Sequence, residues 1–229
     1  GGKAEVLFRP ADVSDLQHFL KNISPEIPLT ILGAASNVII KDEGIKGVVI
    51  RLSGEFAKIF HEAGVIKAGA AALCGSVALY SKNEGLSNLE FLTGIPGSIG
   101  GAIAMNAGCY GSEISQVLVS AKALDLKGNL IELKNSDFKF SYRNNENAKN
   151  LIFVEASFKT EKSSVVEVLK KIEEFNLRRQ NTQPIRAKTG GSTFKNPQPN
   201  KKKKKKAWQL IDEAGCRGLS KNDAQISEK

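Results

Sequence analysis

The chain has 229 residues, 41% of them hydrophobic, and a formal net charge of +9. This length suffices for one large domain or two small ones, and the longest apolar runs are far shorter than the roughly 18 to 20 residues that cross a membrane. Six of the positive charges lie in the lysine run 201–206, which leaves only +3 for the other residues and argues against nucleic acid as a partner.

Cysteine and histidine usage narrows the chemistry further. The three cysteines, Cys74, Cys109 and Cys216, are far apart and include no Cys-x-x-Cys pair, which argues against a disulfide framework and a zinc site. The two histidines have no Cys, Asp or His at metal-ligand spacing. We therefore predict a cytoplasmic protein without a metal site.

The N-terminal part of the chain is predicted to be rich in strands. Apolar residues at helical spacing after Asp12 first predict a short helix over about residues 12–21. Apolar runs of strand length then predict strands at 29–32, 38–41, 47–52, 57–61 and 65–68.

A glycine-rich stretch, 94–111, separates this part from a second group of strands. A helix over 77–83, closed by Gly85, precedes the stretch. The strands that follow are predicted at 117–126, 129–133 and 151–158, with the first two turned at Lys127-Gly128-Asn129.

The pattern changes from residue 163 onward. Val165, Val168, Leu169, Ile172 and Phe175 trace one face of a helix whose other face is charged. We place a domain boundary near residues 159–164, which predicts a first domain over 1–160, with subdomains of about 1–53 and 54–160, and a second domain over 161–229 that is truncated at its C-terminus. A further helix is predicted over 207–214, with Gly215 at its C-cap position.

Two loops of small residues are candidates for ligand binding. The first, 32–38, places small and short polar residues between apolar runs, so that its backbone N–H groups can approach an anion closely. Taken alone, it is more typical of a β-turn. The second, 94–101, leads into small, helix-capable residues with a helix start near Gly101.

The spacing of the second loop excludes the common phosphate motifs. It matches neither Gly-x-Gly-x-x-Gly after a strand nor Gly-x-x-x-x-Gly-Lys-Ser/Thr. Glycine at this density costs regular structure about 0.5–1 kcal/mol per residue, which close approach of a diphosphate to the backbone would explain. Two such loops in one domain favour a dinucleotide as strongly as a purely structural role.

Six segments in chain order resemble the UDP-N-acetylenolpyruvoylglucosamine reductases, also called UDP-N-acetylmuramate dehydrogenases. The likeness covers nearly the whole chain, and the short path from Arg143 to residue 151 is similar to the subclass without an inserted substrate loop. The six segments are Leu32-Gly33-Ala34-Ala35-Ser36-Asn37, residues 42–50, residues 94–111, Phe140-Ser141-Tyr142-Arg143, Gly191-Ser192-Thr193-Phe194-Lys195-Asn196-Pro197, and residues 207–215.

The resemblance implies a fold, a reaction and partners. The fold is α+β: an FAD-binding domain of the vanillyl-alcohol-oxidase type in two subdomains, followed by a separate α+β substrate domain. The reaction uses NADPH and FAD to reduce the enolpyruvyl group of a UDP-sugar, giving UDP-N-acetylmuramate for peptidoglycan synthesis. We expect no membrane or nucleic-acid partner, and a monomer or weak oligomer.

The resemblance also implies site residues. Arg143 and Ser192 are the predicted catalytic residues, because hydride addition to an enol ether needs a cation at the carboxylate and a proton source. Tyr142, Arg143, Lys195 and Asn196 are the predicted substrate contacts. The predicted flavin contacts are Leu32, Gly33, Ala34, Ala35, Ser36, Asn37, Val38, Gly94, Ile95, Pro96, Gly97, Ser98, Gly101, Ala102, Asn106 and Gly108.

The chain departs from the family pattern at three places. The family usually has Gly where Ala34 and Ala35 stand, and the lysine run interrupts a connection that is usually short. The family's catalytic glutamate is expected beyond Lys229 and is not Glu228. Another FAD oxidoreductase of the same fold, or a non-catalytic protein that binds flavin or a nucleotide sugar, is therefore kept as the alternative.

Overall fold

A computed structural model describes residues 1–183, 191–197 and 205–228. Its contacts divide the chain into two compact units, Gly1–Asn176 and Leu177–Lys229, which are described separately. The domain boundary near residues 159–164 stays a prediction. Of the predicted lysine run, only Lys205 and Lys206 lie within the described residues.

The described residues form short helices and many short strands. The helices are α1 (Val13–Asn22), α2 (Cys74–Asn83), α3 (Ile99–Ala104), α4 (Ile114–Val117), α5 (Val165–Thr182) and α6 (Ala207–Glu213). The strands are β1 (Ala4–Phe8), β2 (Leu29–Ile31), β3 (Ile45–Ile50), β4 (Ile59–Glu62), β5 (Val65–Gly69), β6 (Leu86–Ser87), β7 (Gly108–Cys109), β8 (Ser112–Glu113), β9 (Leu118–Asp125), β10 (Leu130–Lys134), β11 (Phe140–Ser141), β12 (Asn144–Asn145), β13 (Leu151–Lys159), β14 (Glu161–Lys162), β15 (Ser220–Lys221) and β16 (Ala224–Gln225).

A small parallel sheet, in the order β1-β3-β2, opens the first unit. Helix α1 lies between β1 and β2 along the chain. The Asp12 side chain caps the helix by accepting a hydrogen bond from the Asp15 amide at 2.8 Å. The helix buries Leu16 and Leu20 in a cluster with Ile50 of β3 and Ile152 of β13. This cluster fixes the end of β2, from which the first predicted loop departs.

A five-stranded antiparallel sheet, in the order β10-β9-β13-β5-β4, forms the centre of the first unit. Its larger core includes Ile66 and Phe158 from the sheet, and Ile99 and Ile103 from α3, all fully buried. The second predicted loop is therefore anchored on this core by the helix that follows it.

Most of the predicted elements are confirmed within a few residues. Helix α1, the hairpin β9–β10 with Gly128 at a φ of +79°, strand β13, and α6 with Gly215 at a φ of +65° lie where the patterns predict them. Helix α2 starts three residues earlier than predicted, at the buried Cys74, and β4 starts at Ile59 because a 3-10 turn, Gly54–Ala57, takes the residues before it.

The strand predicted at 38–41 is wrong. These residues have no strand assignment, and Ile39 is 84% exposed. An apolar run forms a strand only when a neighbour pairs with it. No described strand pairs with residues 38–41, and the sheet order β1-β3-β2 does not include them.

Helix α5 packs on the first unit over its N-terminal turns. Val168 and Ile172 are buried, and the Phe175 ring stacks on Tyr110 with centroids 4.5 Å apart. The predicted apolar face is only partly covered, because Val165 and Leu169 are 45% and 38% exposed. None of the described helices is long and apolar enough to cross a membrane.

Candidate active site

The first loop leaves the parallel sheet directly after β2. The Leu32 amide still donates to Ile50 O at 3.0 Å, but the amides of residues 33–37 donate to no backbone or side-chain acceptor among the described residues. Ala35 has a φ of +55°, a left-handed conformation that is uncommon for a residue with a side chain. The loop therefore presents successive backbone donors, as an anion-binding concavity requires.

The second loop is fastened to a segment of small residues, 70–74. The Cys74 amide donates to Gly97 O at 2.9 Å, the Ile99 amide to Ala72 O at 2.9 Å, and the Gly100 amide to Ala70 O at 2.8 Å. Two of the loop's own donors are therefore used by the protein. Helix α3 begins at Ile99, two residues before the predicted start near Gly101.

The two loops lie face to face. A Cβ added to Gly33 would come within 2.4 Å of Ser98 Oγ, and one added to Gly97 would lie 3.5 Å from Ser36 Oγ. Each loop thus has a glycine opposite a serine of the other. Among the described residues the hydroxyls of Ser36 and Ser98 make no hydrogen bond, and both lie where the two loops face each other.

The glycines of the second loop and of the residues that follow it differ in what a side chain there would meet. A Cβ on Gly94 would lie 2.5 Å from Tyr110 Cε2 and 2.6 Å from Cys109 Sγ, and one on Gly108 would lie 2.5 Å from Ser112 O. These glycines are required by packing within the protein. A Cβ on Gly97 or Gly101 would instead meet no atom within 3.4 Å.

Gly97 and Gly101 leave room for a dinucleotide to approach the backbone. Their amides donate to no described residue, and a Cβ at either position would make only ordinary van der Waals contacts. Glycine there has no packing explanation, whereas close approach of a diphosphate supplies one. The residues present therefore fit the diphosphate of FAD.

Arg143 lies beside the end of the second loop. It stands at the tip of the β11–β12 hairpin with a φ of +53°. Its guanidinium donates to Gly108 O at 2.6 Å and to Asn106 O at 3.4 Å, and it lies over the Tyr142 ring at 5.1 Å. The structure thus brings the predicted catalytic arginine and a predicted substrate contact next to the predicted flavin loop.

Asn106 differs from the other predicted flavin contacts because it is completely buried. Its Nδ2 donates to Ser141 O at 3.2 Å, and its Oδ1 accepts from the Ser115 amide at 3.0 Å. Both ends of the side-chain amide are therefore used to hold protein segments together.

The other predicted site residues lie in the second unit. Ser192, Lys195 and Asn196 belong to an exposed stretch, 191–197, that has no helix or strand. The Asn196 Oδ1 accepts a hydrogen bond from the Ala207 amide at 3.0 Å and so ties this stretch to the start of α6. Arg143 thus belongs to the first unit and Ser192 to the second.

Comparison with known proteins agrees with this arrangement. Residues 4–134 match a family model described as an FAD binding domain, and residues 183–229 match the C-terminal domain of UDP-N-acetylenolpyruvoylglucosamine reductase. The UDP-N-acetylenolpyruvoylglucosamine reductase of Parvibaculum lavamentivorans is 48% identical over 228 residues, which cover 100% of this chain and 72% of that protein. That of Rickettsia bellii is 44% identical, again over the whole chain and 74% of the relative.

The chain belongs to the UDP-N-acetylenolpyruvoylglucosamine reductase family.

Solved structures agree with the family assignment. UDP-N-acetylenolpyruvylglucosamine reductase from Thermus caldophilus superposes with a TM-score of 0.82 at 30% identity, over 96% of this chain and 77% of that one. 6-Hydroxy-D-nicotine oxidase from Arthrobacter nicotinovorans superposes with a TM-score of 0.52 at 10% identity, which shows a shared fold alone. The predicted α+β, vanillyl-alcohol-oxidase-type fold is confirmed, and the findings favour the reductase over the alternatives kept from the sequence.

Two features of the reductase site are absent from the sequence prediction. One is the segment 70–74, whose carbonyls accept hydrogen bonds from the second loop. The run of small residues Gly69-Ala70-Ala71-Ala72 is the sequence feature that could have indicated it. The other is Asn145, which is 3% exposed and donates to Ile103 O at 3.2 Å. Nothing in the local sequence distinguishes Asn145 from the exposed polar residues around it.

Proposed function

We propose that this chain reduces UDP-N-acetylglucosamine enolpyruvate to UDP-N-acetylmuramate, a peptidoglycan precursor, with NADPH as the reductant and FAD as the bound cofactor. The observation that carries the proposal is the pair of facing loops, in which no described residue crowds a Cβ at Gly97 or Gly101, next to Arg143 in a chain of the reductase family. We further propose a monomer or weak oligomer in the cytoplasm. No disulfide joins the three cysteines, all of which lie in the described residues.

When bound, FAD reduced by NADPH would supply the hydride for the enolpyruvyl double bond. We assign its binding to the first loop, residues 32–38, and to the stretch 95–102 of the second. Backbone amides and the hydroxyls of Ser36 and Ser98 hold the diphosphate between the loops. Gly94, Asn106 and Gly108, predicted as flavin contacts, serve the site by packing and hydrogen bonding within the protein.

Arg143 binds the carboxylate of the enolpyruvyl group in this proposal. Hydride addition at the vinyl carbon leaves negative charge on the adjacent carbon and its carboxylate, and a planar guanidinium can accept that charge through paired hydrogen bonds. The carbonyls of Asn106 and Gly108 hold one edge of the guanidinium, which fixes its orientation. Tyr142, Lys195 and Asn196 are proposed to contact the rest of the substrate.

Ser192 donates the proton that completes the reduction. A hydroxyl is a weak acid in water, but the carbanion beside a carboxylate is strongly basic, so a positioned hydroxyl in a site without bulk water can protonate it. The proton goes to the carbon next to the one that received the hydride. Ser192 therefore acts only in the step that consumes the enolpyruvyl sugar.

Stopped-flow measurement of the two half-reactions tests these roles in the full-length protein. Ser192→Ala should leave reduction by NADPH nearly unchanged and slow reoxidation by the enolpyruvyl sugar by about two to four orders of magnitude, the usual contribution of a positioned general acid. Arg143→Ala should slow reoxidation and also weaken substrate binding. Ser220→Ala, an exposed serine of the same unit, is the matched control and should change neither step. Equal slowing of both steps by Ser192→Ala, or of neither, would exclude the proton-donor role.

A further inference from the structure

Arg143 occupies a backbone conformation that needs support. Its φ of +53° lies in the left-handed region, which costs a residue with a side chain on the order of 1–3 kcal/mol unless the surroundings enforce it. The β11–β12 hairpin that carries Arg143 has only two residue pairs, Phe140 with Asn145 and Ser141 with Asn144. So short a hairpin does not hold a strained turn by itself.

Two buried asparagines attach this hairpin to α3 and the residues after it. Asn106, two residues past the end of α3, donates from Nδ2 to Ser141 O in β11. Asn145, in β12, donates from Nδ2 to Ile103 O in α3. Each strand of the hairpin is therefore held by one side-chain hydrogen bond, on either side of the turn at residues 142–143. Both hydrogen bonds connect the hairpin to α3 or to the residues directly after it, and α3 follows the predicted flavin loop.

The burial of Asn145 indicates that its role depends on the hydrogen bond donated by its side-chain Nδ2. The residue is 3% exposed, and its Oδ1 has no hydrogen-bond partner in the structure. An unsatisfied buried oxygen is unfavourable, and an apolar residue would avoid it. The hydrogen bond from Nδ2 to Ile103 O is the favourable contact that an apolar residue could not make.

We propose that Asn145, together with Asn106, is a positioning residue for the reaction: the two amides hold the hairpin against α3 so that the Arg143 guanidinium is fixed at the carbonyls of Asn106 and Gly108. This inference rests on the role proposed above for Arg143. It assigns Asn145 no contact with flavin or substrate, because the side chain is enclosed by the protein.

Asn145→Ala removes one tie and is the primary test. Reoxidation by the enolpyruvyl sugar should slow about 10- to 100-fold, since misplacement of a catalytic group by about 1 Å has effects of that size. FAD content and reduction by NADPH should stay close to wild type. Amide hydrogens of residues 140–145 should exchange at least about tenfold faster, in the apoprotein as well as in the holoenzyme.

Asn144→Ala is the matched control. Asn144 belongs to the same strand, but among the described residues its side chain donates only to Ser141 Oγ, at 3.4 Å and within the hairpin. Neither reoxidation nor amide exchange should change appreciably in this variant. An equal effect of the two substitutions would contradict the proposal, because any damage to the hairpin would then have the same result.

A double-mutant cycle with Arg143→Ala separates this inference from the proposed function. If Asn145 acts through Arg143, adding Asn145→Ala to Arg143→Ala should slow reoxidation no further. Slowing that multiplies, or equal slowing of the NADPH step, would assign Asn145 a general structural role and overturn the inference. If Arg143→Ala itself left reoxidation unchanged, the proposed role of Arg143 would fail first.

Asn145→Ser serves if the alanine variant does not fold. Its hydroxyl can still donate but reaches less far, so we expect a smaller slowing of reoxidation that again disappears in the Arg143→Ala background. Wild-type reoxidation and amide exchange in a folded Asn145→Ser protein would overturn the inference.

Discussion

The first loop, 32–38, leaves most of its backbone donors unused by the described residues, whereas the second loop uses several of its own to join the core. Amides of residues 33–37 have no described acceptor, while Ile99 and Gly100 donate to Ala72 and Ala70. Ser98 and Ile99 are buried, but Gly33 and Asn37 are exposed. The first loop thus presents backbone donors, whereas the second loop is packed against the core.

This difference assigns separate tasks to residues that look alike in sequence. Within the glycine-rich stretch 94–111, neighbouring protein atoms require glycine at Gly94 and Gly108, whereas no described atom lies close enough to require it at Gly97 and Gly101. The density of glycine alone therefore overstates the ligand surface of the second loop. Substitutions at the two kinds of glycine should fail in different ways.

The largest expected effect is at Gly97. A valine side chain there would extend towards Ser36 of the first loop, where we place the diphosphate, so Gly97→Val should weaken FAD binding about 100-fold or more while the apoprotein keeps its stability. Loss of one hydrogen bond to a charged group is worth about 1.5–3 kcal/mol, and each 1.4 kcal/mol is tenfold in affinity. Calorimetric titration of apoprotein with FAD, alongside thermal unfolding, measures both quantities.

Gly100→Val is the matched control, from the same loop. A Cβ there would lie 3.1 Å from the Ala70 Cβ and 3.3 Å from Ala70 O, so this variant should lose stability of the apoprotein rather than FAD affinity alone. Full flavin content in Gly97→Val would mean that the diphosphate is held elsewhere.

Gly94→Ala should have the next largest effect. The new methyl group would overlap Tyr110 and Cys109, and overpacking of this kind costs about 1–3 kcal/mol. We expect urea unfolding to shift to lower concentration by a corresponding amount, with little change in FAD affinity per folded molecule. A variant that folds normally but no longer binds FAD would move Gly94 into the group of ligand-facing glycines.

Local patterns predict the elements that depend on local contacts. Asp12 and the apolar spacing behind it locate α1, and the turn at Lys127-Gly128-Asn129 locates the β9–β10 hairpin, because cap and turn chemistry act over a few residues. The resemblance to the reductases adds the site residues of the two loops and Tyr142, Arg143, Ser192, Lys195 and Asn196. The roles of all of these residues stay predictions.

Non-local contacts account for what the sequence could not show. The run 38–41 is as apolar as a strand, but no described strand pairs with it, and the local pattern cannot show that. The division of the glycines depends on Tyr110, Cys109 and Ala70, which are brought to them by the fold. Asn145 gains its importance from Ile103, at a distance of 42 residues along the chain.

The smallest expected effect concerns Cys74, which lies fully buried below the second loop. Burial, with a smaller contribution from Cys109, raises the pKa of the Cys74 thiol from 9.0 to about 12. The neutral thiol therefore favours the folded state below pH 9, and this contribution is lost as the pH rises from 9 towards 12, where the unfolded chain ionises first. The stability difference between wild type and Cys74→Ala should shrink by about 1 kcal/mol between pH 8 and pH 10. Urea unfolding at the two pH values measures it, with Cys216→Ala, in the second unit, as the control. If the stability difference between wild type and Cys74→Ala stayed constant with pH, water would reach Cys74. The second loop would then not be closely packed on segment 70–74, and it would differ less from the first loop.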